Sequence, residues 1–186
     1  MHVLMKWFKS RPVYLLSGLV LFGACSSEEP KPAIIRGSYF SLKTYIEKEA
    51  GQLNKQSVRV LKTVYINGDS EQKEVKIADF KKELGSFIDA DINKSSWKDE
   101  FTVQSTDHQT IYKTVKPNIP VKRIEISYEL KKIKSIKILL STTNLLYHAA
   151  DTLYYESGKG YEIRKKQKIN LFNEKRYKVM GKFIFP

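Results

Sequence analysis

Apolar positions along the chain follow two rhythms. Tyr39, Leu42, Ile46, Ala50 and Leu53 recur at spacings of three and four, which predicts an amphipathic helix over residues 38–54 with Ser38 as its N-cap. Residues 58–66 and 71–77 flank Asn67-Gly68, two residues that tolerate positive φ, and predict a hairpin. Phe80, Leu84, Phe87 and Ile88 mark a second helix over 78–90, with Asp79 in its first turn, where a negative charge is favourable. From residue 100 the period changes to two. Strands are predicted near 100–105, 109–115, 121–130, 133–142, 144–156, 161–171 and 176–185. The connections are short, and short connections imply antiparallel neighbours. The expected fold class is α+β: a curved, meander-like antiparallel sheet of about nine strands, with two helices from the N-terminal half packed on one face.

The first residues follow neither rhythm. Lys6, Lys9 and Arg11 precede an uncharged, mostly apolar run over residues 13–24. That run is too short for a bilayer, which takes ~20 apolar residues, and suits the apolar region of a secretory signal peptide. Gly23-Ala24 stands directly before Cys25, the only cysteine. This arrangement resembles the lipobox of bacterial lipoproteins, with Phe22 where that family usually has Leu. The resemblance implies that Cys25 is acylated and becomes the mature N-terminus. Acyl burial contributes ~0.8 kcal/mol per CH₂, so several chains would anchor the protein durably. Ser26 after the cysteine implies, by the same resemblance, the outer membrane. Glu28-Glu29 resemble the surface-export signal of Bacteroidota lipoproteins; a polar tether is the plainer reading. The expected organisation is a leader over 1–24, a Pro-containing tether over 25–37 and one domain over 38–186.

Charge is uneven. The whole chain carries 33 Lys and Arg against 20 Asp and Glu. Residues 25–112 hold 13 basic and 14 acidic side chains, whereas residues 113–186 hold 17 and 6. The excess belongs to the strand-rich part and predicts a basic surface there. For an exported chain the expected partner is an anionic envelope component or a protein rather than nucleic acid. A solubilising face explains the charge equally well.

The last hairpin is the place to look. With Leu171 opposite Tyr177, Ile163 meets Phe185 and an apolar set faces the core. The other face then presents Arg164, Lys166, Lys168, Lys178 and Lys182, with Lys166 opposite Lys182. Like charges directly opposite are mildly destabilising, so such a face suggests an anionic partner or an edge guarded by lysines. The strand over 144–156 is apolar on both sides, and Ala149-Ala150 leaves room for close approach. A covering helix is the simpler occupant. The alternative is a hydrophobic ligand in a cleft between sheet and helices, lined by Leu146, Tyr147, Leu153 and Tyr155.

His148 and Asp151, three apart on a strand, point to opposite faces and form no dyad. Asp89, Asp91, Asp99 and Glu100 lack the rhythm of a calcium loop and read as turn and capping residues. There is no P-loop, GxSxG, HExxH or Gly-rich dinucleotide loop. No catalytic residue, metal or cofactor is therefore expected, and the chain is read as a non-enzyme.

The mature part resembles a group of uncharacterised Bacteroidota lipoproteins. The likeness rests on the helix–hairpin–helix order and on three phrases: Asp91-Ile92-Asn93-Lys94 with Trp97-Lys98-Asp99, Thr143-Asn144-Leu145-Leu146-Tyr147, and Val179-Met180-Gly181-Lys182-Phe183. It implies membership and no activity. In architecture, the expected fold also resembles the half-barrel periplasmic lipoprotein carriers. The expectation is an outer-membrane, lipid-anchored binding or structural module, with a carrier or sensor of a lipid or acyl chain as the alternative.

Overall fold

The structure, a computed structural model, describes residues 33–34, 38–169 and 172–186. Cys25, the leader and most of the tether lie outside the described residues, as does Leu171. Within the expected tether, Ala33–Ile34 forms a two-residue strand, β1.

The first helix, α1, is Leu42–Lys55, and its N-cap is Ser41 rather than Ser38. Ser41 Oγ accepts from the Thr44 backbone N–H at 3.2 Å. Asp91 Oδ2 accepts from Lys43 N–H at 2.7 Å, so two N–H groups left over at the helix start are satisfied by side chains. Residues ahead of the cap have another task. Tyr39 packs edge-on against Phe101 and Tyr112, and its N–H donates to Asn93 Oδ1 at 2.8 Å. Asp91 and Asn93 thus clamp the entry to α1.

The predicted second helix is two short ones, α2 (Phe80–Glu83) and α3 (Gly85–Asp89). The break falls at Leu84-Gly85, where glycine weakens helix continuity. Asp79 caps α2, accepting from Lys81 N–H at 2.9 Å. A 3₁₀ turn, Ser95–Trp97, follows.

The nine longer strands match the predicted nine one for one. They are β2 (Arg59–Ile66), β3 (Asp69–Lys76), β4 (Thr102–Ser105), β5 (Gln109–Lys113), β6 (Val121–Glu129), β7 (Lys132–Thr143), β8 (Tyr147–Glu156), β9 (Gly160–Ile169) and β10 (Lys175–Ile184). With β1 they form one open sheet in the order β1-β4-β5-β6-β7-β8-β9-β10-β2-β3, every pair antiparallel. Only β4 to β10 is a simple meander. The N-terminal hairpin joins the far edge, where β2 pairs with β10 over eight positions. Its turn is as predicted, with Asn67 at φ 50° and Gly68 at φ 113°.

The helices lie on one face of the sheet. They bury Leu42, Ile46, Ala50, Leu53, Phe80, Leu84 and Phe87 in the core with strand residues such as Ile136, Ile138, Leu153, Tyr155 and Phe183. Two carboxylates pin this layer down. Glu49 of α1 accepts from Tyr155 Oη at 2.8 Å and Ser157 Oγ at 2.9 Å. Glu83 of α2 accepts from Tyr161 Oη and pairs with Lys62 at 2.7 Å.

Cover is incomplete along the strands. On β8 Tyr155 and Leu153 are buried but Asp151 and Ala149 only partly; on β9 Tyr161 is buried, Ile163 partly, and Lys165 exposed. On β10 Phe183 is buried, Val179 partly, and Tyr177 exposed. Burial thus fades toward the end carrying the β7–β8 and β9–β10 turns, here called the distal end. Ile66, the last residue of β2, lies level with Tyr177, Lys165, Asp151, Leu140 and Val121. Beyond that line β7, β8 and β9 continue for three or four residues, roughly 10–13 Å, as a projecting lobe.

Candidate functional site

Side chains on a strand alternate, so the residues between the core positions of β8, β9, β10 and β2 share the face away from the helices. Two cross-strand rows lie there. Thr152, Arg164, Lys178 and Tyr65 form one. Ala150, Lys166 and Arg176 form the next, closed by Asn67, whose N–H donates to the Arg176 carbonyl at 3.2 Å. Ala150 and Thr152 are short and leave space between longer neighbours. The result is a groove of about 1020 Å³, bordered also by Lys165, Asn173, Glu174 and Tyr177.

The register of the hairpin differs from the expected one by six positions along β10. Ile163 faces Val179 rather than Phe185, Lys166 faces Arg176 rather than Lys182, and Lys182 faces Gly160. The observed pairing closes at Gln167 with Lys175, where the expected one closed at Leu171 with Tyr177. Six is even, so no side chain changes face. Arg164, Lys166 and Lys178 come together in the groove. Lys168 stands one row beyond, opposite His148, and Lys182 borders a smaller groove of about 540 Å³. Arg176, Lys165 and Tyr65 were not singled out from sequence. Arg176 had a signal, because it sits two residues before Lys178 and therefore on its face.

The charge is only partly neutralised. Glu174 pairs with Arg176 at 2.6 Å and Lys166 at 3.1 Å. Glu162 pairs with Arg164 and, at 3.4 Å, with Lys178. Two carboxylates therefore serve four cations; Lys165, at the rim, points to the other face beside Asp151. Hydrogen bonds from Arg176 and then Lys166 lower the Glu174 carboxyl from its ordinary value. Lys178 also lies 5.0 Å over the Tyr65 ring. Planar guanidinium forks beside flexible ammonium groups suit phosphate or carboxylate ligands.

The four residues of the expected hydrophobic cleft do not meet. Leu146 is exposed in the β7–β8 turn and Tyr147 opens β8. Leu153 and Tyr155 are buried under the helices, where Phe87 lies 6.0 Å from Tyr155 ring to ring. Core side chains fill that space. Nor are both faces of β8 covered: the Ala150 side opens onto the groove.

His148 and Asp151 lie on opposite faces of β8, and His148 Nδ1 is 2.7 Å from Thr143 Oγ1. Burial raises the Asp151 carboxyl above its ordinary value, with Lys165 opposing. A raised folded value means the buried charge costs stability at neutral pH, a cost relieved as the carboxyl protonates in acid. Asp151→Asn is therefore expected to raise the melting temperature at neutral pH and to match the parent near pH 3. A variant that melts lower at neutral pH would instead make the Lys165 attraction dominant. Among the described residues no group of His, Cys, Asp and Glu is arranged to hold a metal ion.

No protein-family model, curated protein or solved structure matches this chain.

Proposed function

We propose that this chain is a lipid-anchored binding module of a bacterial outer membrane, acylated at Cys25 and engaging a phosphate- or carboxylate-bearing partner through the groove across β8, β9, β10 and β2. The observation that carries the reading is the convergence of Arg164, Lys166, Arg176 and Lys178, with two carboxylates among them, above a floor of Ala150 and Thr152. A merely solubilising face needs dispersed charge and no groove. The reading is of binding rather than catalysis, since the groove gathers cations and no nucleophile with its base.

Calorimetric titration of the mature chain with inorganic tripolyphosphate tests the groove. Lys166→Glu with Arg176→Glu is expected to weaken binding at least roughly tenfold, and salt to weaken the parent's binding. Equal affinities for parent and variant would remove the groove from the proposal. The anchor is tested separately in cells. Cys25→Ala is expected to abolish labelling by a fatty-acid analogue and to release the protein from the membrane fraction; persistent labelling would end that part of the reading.

A further inference from the structure

Ten large apolar side chains are exposed among the described residues, and seven of them belong to the distal end of the sheet. Chance scatter over the surface would not place them so. Three of them sit at the tips of the two projecting hairpins: Leu145 at 91% and Leu146 at 72% in the β7–β8 turn, and Phe172 at 69% in the β9–β10 connection. The tips are neighbours, because Tyr147 and Ile169 pair across β8 and β9.

The leucine turn is rigid. Asn144 Oδ1 accepts from the N–H groups of Leu146 at 2.8 Å and Tyr147 at 2.9 Å, and Asn144 N–H donates to the Tyr147 carbonyl at 3.0 Å. A turn fastened by its own asparagine has no need of two leucines for its shape. Both are held outward at a cost in water. Directly behind the tips stand Lys166, Lys168, Lys175 and Arg176, with Glu174 the acidic residue among them.

We propose that the distal lobe is a membrane-docking edge. Leu145, Leu146 and Phe172 enter the interfacial layer of a bilayer, and the lysines and arginine behind them meet anionic headgroups. The occupant is a lipid surface because the apolar groups form projecting points. A stable protein partner needs about 800 Å² of complementary surface on each side, which two narrow tips do not offer. A bilayer interface accepts isolated points, and its negative charge complements the cations behind them. The edge is a second attachment beside the anchor at Cys25; it shares Lys166 and Arg176 with the groove but not its apolar tips, and it would fix the domain's orientation on the membrane.

The test uses the mature chain, from residue 25, with Cys25→Ser, which removes both the acyl chain and the native thiol. In that background Leu146→Cys, Phe172→Cys and, at the opposite end of the sheet, Leu130→Cys each carry an environment-sensitive fluorophore. On vesicles containing phosphatidylglycerol, the labels at 146 and 172 are expected to shift to the blue and to be quenched by brominated acyl chains, and the label at 130 to do neither. Leu146→Ser with Phe172→Ser is expected to weaken vesicle co-sedimentation roughly tenfold or more without changing the melting temperature. Equal response at both ends, or binding untouched by the serine pair, would overturn the proposal. So would a change in oligomeric state instead of lipid binding, which would make the tips a self-association site.

Discussion

Gly160→Ala is expected to destabilise the protein by about 3–5 kcal/mol, a fall in melting temperature of roughly 10 °C or more. Gly160 holds φ 154°, and a Cβ there would lie 2.1 Å from the Gly181 carbonyl oxygen and 3.2 Å from the Lys182 Cα. Every atom in the way is backbone, so no rotamer change relieves the clash, and β9 and β10 must part where Gly160 faces Lys182. Gly158 in the same turn is the internal control. Its φ is 71°, but its Cβ would meet nothing within 4 Å, so alanine there costs only about 1 kcal/mol. Thermal melts of the two variants decide: if they fall within a couple of degrees of each other, the close approach of β9 to β10 is not what makes Gly160 necessary.

Tyr155→Ala is expected to cost a similar ~3–5 kcal/mol. Tyr155 is fully buried, its ring 6.0 Å from Phe87 and 6.3 Å from Phe183. Truncation opens a cavity between sheet and helices and takes a hydroxyl donor from Glu49. Tyr155→Phe isolates the hydroxyl and costs about 1–2 kcal/mol. The pair also predicts an alkaline signature. Burial, and then the negative charge of Glu49, push the Tyr155 phenol well above its ordinary value of 10.0. Tyr45, beside the same carboxylate, is pushed up to about 12. A raised folded value gives stability that is complete below the unfolded value and is lost as pH climbs toward the folded one. Denaturant midpoints should therefore fall above pH 10, and less steeply for Tyr155→Phe. A parallel decline would assign the alkaline loss to other groups.

These results bear on how much the sequence disclosed. Strand positions were legible because period-two alternation and the turn at Asn67-Gly68 are local signals. The basic face was legible for the same reason: alternation survives any even slip, so Arg164, Lys166 and Lys178 share a face in either register. Register itself was not legible, since nothing near Leu171 or Tyr177 states how long the connection between their strands must be. The break at Leu84-Gly85 was hidden by an apolar spacing that suits one helix or two. The expected cleft failed because sequence gives the apolar character of Leu153 and Tyr155 but not where the helices stop. Ala150 was noticed for the room it leaves; that the room opens onto cations of β9 and β10 follows only from strand order.

The pairing of β2 with β10 joins residues more than a hundred positions apart, from Ile66 with Tyr177 to Arg59 with Ile184. A chain that emerges N-terminus first presents the β2–β3 hairpin early, yet the flank of β2 stays bare until β10, Lys175–Ile184, has appeared. Non-local closure of this kind is slow and leaves a strand edge available to other chains while it waits. Loss of only the final strand would strip β2 of its neighbour and remove Phe183 from the core at once. Strand β10 is thus the clasp of the whole sheet, and a nascent chain halted before Lys175 should be a substrate for holding chaperones rather than a slightly weakened domain.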